Sequence, residues 1–386
     1  MRVLFVTGSL VHGGAERQSI TLFNGFTERG HECHLLYVKN DPSQLPRLRP
    51  AGAGSVQCLH ARRYLDSRSL SEAGALMRRL QPSVVLAVNP YALMYASLAA
   101  RWARLRAPLV VTFHTTQVGS AKEWLQMLYY RPFFWHAACA VFVCEAQRRF
   151  WLRRGLAARS NAMIYNGIDI DHWRPVPEAE RAQARAALGF APEDLVIGMC
   201  AVLRPEKNPL QLVEAIAALR RRSLSAKALF IGDGVMRPQV EARSRSLGVA
   251  EDVRISGLQQ EVRPLLGACD AVALCSTRIE TFSLAALEAM ALARPVVHSQ
   301  IGGAAEMVRE GENGFLFPVG DTAALIERLA RLADPRTRSR LGSRARQVLE
   351  EQFSEMAMLE RYEKLLMELE TTRSKRENLP KPARAH

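Results

Sequence analysis

The chain is 386 residues long, 48% hydrophobic and 23% charged, which excludes a disordered protein and supplies enough apolar side chains for two domains. Its net charge of +14 is uneven: residues 1–175 hold 22 Lys and Arg against 10 Asp and Glu, residues 371–386 hold 5 against 1, and the stretch between is slightly acidic. A basic half of this kind suits phosphate, whether of an anionic lipid, a lipid diphosphate or a nucleic acid.

The opening MRVLFVTGSL reads as a first strand, Val3 to Val6, with no signal peptide. A helix near Ala15 to Arg29 is stopped by Gly30, and a strand follows at His34 to Val38. Residues 81–100 carry no charge, but Pro82, Asn89 and Pro90 split them into a strand ending at Val88 and a helix from near Tyr91 to Arg104, not a membrane span. Next come a strand at Leu109 to Phe113, a helix near Lys122 to Trp135, a strand at Ala140 to Val143, a helix near Glu145 to Arg153 and a strand at Met163 to Tyr165. Strand and helix in alternation imply a parallel sheet covered on both faces.

A second series begins after the connector Trp173-Arg174-Pro175-Val176-Pro177. It runs through strands at Leu195 to Leu203, Ala228 to Ile231, Val253 to Ser256, Ala271 to Cys275 and Val296 to His298, with helices at Pro209 to Arg221 and Leu284 to Leu292. The expected organisation is a first doubly wound domain at 1–173, a second at 174–355, a helix at about 356–370 returning to the first, and a disordered basic tail at 371–386. Seven cysteines, odd in number and with no C-x-x-C pair, argue for a reducing compartment and against a disulfide scaffold or zinc ribbon.

In open parallel sheets ligands bind beyond the carboxyl ends of the strands, so the loops there are the places to search. The first carries Gly13-Gly14 at a helix start, where backbone N–H groups can approach a ligand. The second, Arg204-Pro205-Glu206-Lys207-Asn208-Pro209, offers Asn208 as N-cap and Pro209 as first helical residue. Arg204 and Lys207 just before that helix are unfavourable against its dipole unless an anion sits between, which asks for a phosphate. Lysine occurs only seven times in the chain, so Lys207 is no random surface charge.

The third loop is Glu280-Thr281-Phe282-Ser283-Leu284, with Glu288 inside the following helix. Ser283 reads as the N-cap, leaving first-turn N–H groups for an anion. Two carboxylates near an anion site make sense when they accept hydrogen bonds from hydroxyls of the same ligand. A nucleotide diphosphate sugar has hydroxyls on both sides of its diphosphate.

These residues resemble those of a known family, the retaining glycosyltransferases of family 4, whose GT-B fold has two facing Rossmann-like domains with a cleft between them. The resemblance covers nearly the whole chain and is carried by Gly13-Gly14-Ala15-Glu16, Asn166-Gly167-Ile168-Asp169, Pro205-Glu206-Lys207 and Gly232-Asp233-Gly234. Glu280 and Glu288 eight apart, Gly302-Gly303 with Glu306, and Asn313-Gly314 complete it. It implies that Lys207 and a neighbouring Arg bind the donor diphosphate and that Phe282, Ser283 and Leu284 offer backbone N–H groups. It also implies that Glu280 contacts the hexose, Glu288 the ribose, and His114 the reacting sugar, with Gly13, Gly14 and Asn166 among the substrate contacts. The family Arg falls here at Val202, so Arg204 is the substitute, and Thr281 stands where the family has Gly. Asp169-Ile170-Asp171 matches the metal-binding D-x-D of another glycosyltransferase fold, but it precedes the connector and reads as structural. The other histidines, His12 and His298 among them, have no ligand-like spacing and read as packed or surface residues.

The expectation is therefore a metal-independent hexosyltransferase using no cofactor, with a nucleotide sugar donor and a glycan or lipid-linked acceptor. Aromatic residues from Trp124 to Trp135 followed by Arg148, Arg149, Arg153 and Arg154 suit an anionic membrane surface, giving a cytoplasmic, peripheral location. A nucleotide-sugar epimerase should lack the basic acceptor face. A nucleic-acid binder should interleave its aromatics with the arginines, and here they cluster in one helical stretch. With a phosphate as the anion at Lys207, Lys207→Ala should weaken nucleoside diphosphate binding and leave the unliganded melting temperature unchanged or raised.

Overall fold

The computed structural model describes residues 1–11, 13–49, 53–115, 120–278 and 280–377. The chain divides into two compact units, one of Met1–Tyr165 with the chain from Met356 onward, the other of Asn166–Glu355.

In the first unit the elements are β1 (Arg2–Thr7), α1 (Gly14–Glu28), β2 (Glu32–Tyr37), β3 (Ser55–Cys58), α2 (Ser67–Leu80), β4 (Val84–Val88), α3 (Asn89–Ala103), β5 (Leu109–Phe113), α4 (Ala121–His136), β6 (Cys139–Phe142), α5 (Glu145–Leu152) and β7 (Ser160–Met163). The seven strands are parallel in the order β3-β2-β1-β4-β5-β6-β7. The direction of winding reverses between β1 and β4, the point where such sheets open a crevice. Alternate residues of β1 feed opposite cores: Leu4 and Val6 join Val85, Met94, Phe113 and Trp151, while Val3 and Phe5 join Phe23, Phe26 and Leu86. β3 and α2 were not anticipated. β3 is a half-exposed edge strand of sequence SVQC with one strong apolar residue, so it leaves almost no periodic signal.

The second unit contains α6 (Glu178–Ala187), β8 (Leu195–Cys200), α7 (Pro209–Arg221), β9 (Ala226–Ile231), α8 (Arg237–Ser246), β10 (Val253–Ile255), α9 (Arg263–Ala268), β11 (Ala271–Leu274), α10 (Leu284–Ala291), β12 (Val296–Ser299), α11 (Ala304–Met307), β13 (Gly314–Phe317), α12 (Thr322–Arg331) and α13 (Pro335–Gln352). Its six parallel strands run β10-β9-β8-β11-β12-β13. No helix among the described residues is long and apolar enough to cross a membrane.

Two boundaries differ from expectation. The second unit begins at Asn166, ahead of the connector at 174, because Ile168 N–H donates to Phe353 O at 3.0 Å and Glu355 N–H to Ile168 O at 2.8 Å. A Cβ on Gly167 would lie 2.7 Å from Ser354 O, so only glycine allows that approach. The helix α14 (Glu355–Glu377) continues past Thr371, where disorder was expected. The hydroxyls of Thr371 and Thr372 donate to Met367 O and Glu368 O at 2.9 and 2.8 Å. Residues 378–386 of the expected tail lie outside the described residues.

Met358, Leu359, Tyr362 and Leu366 of α14 belong to the same core as Phe5 and Phe23, so this last helix completes the first unit. Leu366 is 0% exposed. Leu366→Ala should therefore cost about 3 kcal/mol, read as an earlier denaturation midpoint in a chemical melt; a loss below about 0.5 kcal/mol would show that α14 is not part of that core.

Candidate functional site

In the second unit, the loops that follow β8 and β11 meet. After β8 the chain makes a 3-10 turn at Pro205–Lys207, then passes through Asn208 in the left-handed region (φ 48°) before α7. Asn208 does not cap α7 as expected. Its side chain donates to Gln211 Oε1 at 2.9 Å, because the left-handed backbone turns the amide away from the first-turn N–H groups.

The two cations of this loop differ. Arg204 is exposed; its carbonyl accepts from Lys207 N–H at 3.0 Å, and its guanidinium has no hydrogen-bond or ion-pair partner among the described residues. Lys207 Nζ lies 2.6 Å from Glu280 Oε2, with side-chain exposures of 26% and 11%. An anion at this helix start is thus supplied by the protein itself, from the loop after β11.

Glu280 is held from several sides. Ser276 Oγ donates to Glu280 Oε2 at 2.8 Å, and Thr277 N–H donates to Glu206 O at 2.8 Å, tying the two loops together. Gly302 (φ 58°) lies so close that a Cβ there would sit 1.9 Å from Glu280 O. Gly303 N–H donates to Thr281 O at 2.7 Å. Burial pushes the Glu280 carboxyl up, but Lys207, His298 and the Ser276 hydroxyl together hold it below its ordinary value. It is a carboxylate at neutral pH.

Beyond it, Ser283 Oγ accepts from Ala286 N–H at 3.3 Å and caps α10 as expected. Phe282 is buried edge-on against Phe353, with ring centroids 5.4 Å apart. The first N–H groups of α10, at Leu284 and Ala285, have no partner within the helix. Glu288 is 2% exposed, so it does not face solvent.

His298 was not anticipated as part of this site. It is the last residue but one of β12, at 0% exposure; its Nδ1 bonds Ser299 O at 2.7 Å, and burial lowers its pKa while Glu280 raises it. The only sequence signal was a polar His-Ser pair closing the apolar strand Val296-Val297.

In the first unit, Gly13 caps α1 with an extended backbone (φ −159°), which any residue can adopt. A Cβ there would instead meet Glu16 Oε2 at 2.3 Å; the carboxyl of Glu16 is pushed up by burial. Gly14 is exposed and opens α1. His114 follows β5. Its N–H donates to Asn89 Oδ1 at 3.1 Å, and its Nε2 lies 3.1 Å from Thr112 Oγ1, which is 3.0 Å from the Tyr362 hydroxyl of α14. Burial lowers the His114 pKa to about 4, so the ring is neutral.

Asn166 is buried at 6% exposure in the segment that packs on Ser354 and Glu355. Asp169 Oδ1 accepts from the N–H groups of Asp171 and His172 at 2.9 and 3.0 Å, the turn-forming role that its position suggested. His12 lies outside the described residues. Among the described residues no cluster of three His, Cys, Asp or Glu side chains could hold a metal ion.

The chain is similar to known proteins in sequence and in fold. A family model described as Glycosyl transferases group 1 matches residues 180–348, and one described as Glycosyltransferase Family 4 matches residues 12–172. The EpsD protein of Bacillus subtilis, named as a glycosyltransferase, is 28% identical over 80% of this chain and 82% of its own length. A D-inositol 3-phosphate glycosyltransferase of Actinosynnema mirum is 35% identical over 43% of this chain, which spans 42% of that relative. The Anabaena protein HepE, solved with UDP-glucose, is 23% identical and superposes with a TM-score of 0.82 over 95% of this chain and all of that one.

The ion pair sets a stability test. Lys207→Ala leaves the Glu280 carboxylate buried without its cation, so it should destabilise the second unit by about 1–2 kcal/mol, contrary to the unchanged or raised melting temperature expected for a lone cation. Adding Glu280→Gln should recover most of the loss. A double variant no more stable than Lys207→Ala would mean that the pair carries no coupling energy.

Proposed function

Since the chain belongs to the family 4, group 1 glycosyltransferases of GT-B fold, we propose that it is a retaining hexosyltransferase. It moves a hexose from a nucleotide diphosphate sugar to a glycan or lipid-linked acceptor without a metal ion. The observation that carries this reading is the Lys207–Glu280 pair beside the start of α10. It places a cation, a carboxylate and free helix N–H groups within one loop cluster, which matches the diphosphate and hydroxyls of such a donor. Structures of the similar HepE protein with UDP and with UDP-glucose support a uridine donor.

On this reading the donor diphosphate takes the Lys207 ammonium and the N–H groups of Phe282, Ser283 and Leu284, with Arg204 as a second cation. Lys207 then supplies the charge neutralisation that a metal ion provides elsewhere. Glu280 accepts from hexose hydroxyls and Glu288 from the ribose. Gly13, Gly14, His114 and Asn166 meet substrate as well; the neutral ring of His114 can exchange a hydrogen bond with a hydroxyl without adding charge.

Retention follows if the acceptor hydroxyl attacks the anomeric carbon from the face that the diphosphate leaves. The new C–O bond forms as the C1–O bond to phosphate breaks, and the acceptor proton passes to a diphosphate oxygen. The protein's part is orientation and stabilisation of the leaving charge.

The basic first unit suits an anionic membrane, from which a lipid-linked acceptor would be taken. On α4, Trp124, Leu125, Leu128, Tyr129 and Trp135 are exposed by 37%, 69%, 49%, 46% and 54%, while Met127, Tyr130 and Phe134 are buried. The helix thus divides its apolar residues between the core and the outside. The Arg154 guanidinium stacks on Phe150 at 3.7 Å and faces Trp124 at 5.6 Å. Aromatic rings beside cations match the headgroup boundary.

Glu280→Gln should lower turnover with a panel of uridine and guanosine diphosphate sugars by on the order of 10²-fold or more, with nucleoside diphosphate binding kept; near-normal turnover in the folded variant sinks the assignment. The protein should also sediment with anionic vesicles, less so in about 0.5 M salt or when Arg149, Arg153 and Arg154 are changed together to Ser. Equal recovery with neutral and anionic vesicles would remove the membrane from the proposal.

A further inference from the structure

His298 is a buried polar group left half satisfied. Its Nδ1 bonds Ser299 O at 2.7 Å, which makes Nδ1 the N–H of a neutral ring and Nε2 the lone pair. Nε2 is fully buried and has no hydrogen-bond partner among the described residues. Such an orphan in a parallel-sheet interior calls for a reason.

Its position supplies one. His298 pairs in register with Leu274 of β11. The next residue, Ser299, donates its hydroxyl to Ser276 O at 2.7 Å, and the Ser276 hydroxyl donates to Glu280 at 2.8 Å. The backbone of His298 thus lies beside the strand end from which Ser276 holds Glu280, and Glu280 and Lys207 both act on its ring. The charged groups that bear on it are Glu280, which favours the protonated ring, and Lys207, which opposes it. The thiol of Cys275, beside Leu274, is held protonated by burial.

We propose that His298 is the reserve cation of this site: when a sugar nucleotide's diphosphate draws Lys207 off Glu280, His298 Nε2 takes a proton from solvent and becomes the partner of the Glu280 carboxylate. The inference rests on the reading that Lys207 meets the donor diphosphate. Both changes act in one direction, since loss of the ammonium from the neighbourhood and arrival of phosphate charge raise the imidazole pKa from its depressed value. Donor binding then consumes up to one proton, and affinity rises as pH falls from 8 toward 6. Each unit by which binding raises that pKa is worth tenfold in affinity below both values. Glu280 stays ionised throughout and keeps its hold on hexose hydroxyls. His298 is on this account a positioning residue acting through Glu280.

The test is calorimetric titration of the full chain with UDP-glucose and with GDP-mannose at pH 6 and pH 8, each in two buffers of different ionisation enthalpy. These diphosphate diesters do not titrate in that range, so proton uptake reports on the protein. The expected result is uptake of about 0.5–1 proton per ligand at pH 6, with tighter binding there than at pH 8. In His298→Asn, whose short amide can still donate to Ser299 O, uptake should vanish and the two affinities converge. Binding without uptake, or equal uptake in His298→Asn, overturns the proposal. A second measurement needs no ligand. In Lys207→Met the histidine pKa read by NMR from labelled imidazole should rise by about a unit or more, and no rise overturns it. Failure of both sugar nucleotides to bind would count against the donor reading alone, and the NMR result would still decide the role of His298.

Discussion

The second unit depends on one electrostatic constraint, a carboxylate and an ammonium drawn out of water and held 2.6 Å apart. Taking both charges out of water is costly, so the pair persists only where geometry and further hydrogen bonds offset the loss. Here the offset comes from Ser276 on the carboxylate and from the strap between Thr277 and Glu206. Gly302 allows a third loop to close on the Glu280 backbone where any side chain would collide. The ion pair joins the loops after β8 and β11, and the backbone of Gly302 and Gly303 brings in the loop after β12.

The same pair makes the site responsive. On the proposed reading the cation that neutralises Glu280 is also the one offered to a diphosphate, so that ligand and carboxylate compete for Lys207. Whatever takes Lys207 must leave Glu280 compensated, and on the proposed reading the unpartnered lone pair of His298 is what takes up the proton. Charge balance in the cluster is thus a property of several loops together.

In the first unit the governing interaction is apolar. The last helix contributes Met358, Leu359, Tyr362 and Leu366 to the core that β1 and α1 begin, so the two ends of the chain stabilise one domain. The Tyr362 hydroxyl continues through Thr112 to the ring of His114. A polar chain from the final helix therefore reaches a candidate site residue at the carboxyl end of β5.

The sequence by itself determined the architecture wherever apolar runs were long. β4, β5 and α7 fall where Val84 to Val88, Leu109 to Phe113 and Pro209 to Arg221 put them, because buried parallel strands and a helix that opens on proline declare themselves locally. It also singled out Lys207, Glu280 and Ser283, since cations, carboxylates and caps at a helix start have few local uses. It could not reveal β3, whose half-exposed SVQC carries no period, nor the helical state of Thr371 to Glu377. Only the tertiary structure decided that Lys207 already has an anion, that Asn208 turns away from its helix, and that the second unit starts at Asn166. Only it moved His298 from an ordinary packed residue to the edge of the site. Apart from Asn208, whose left-handed backbone is a local matter, each of these turns on contact between segments distant in the chain, and such contacts leave no mark in the spacing of residues along it.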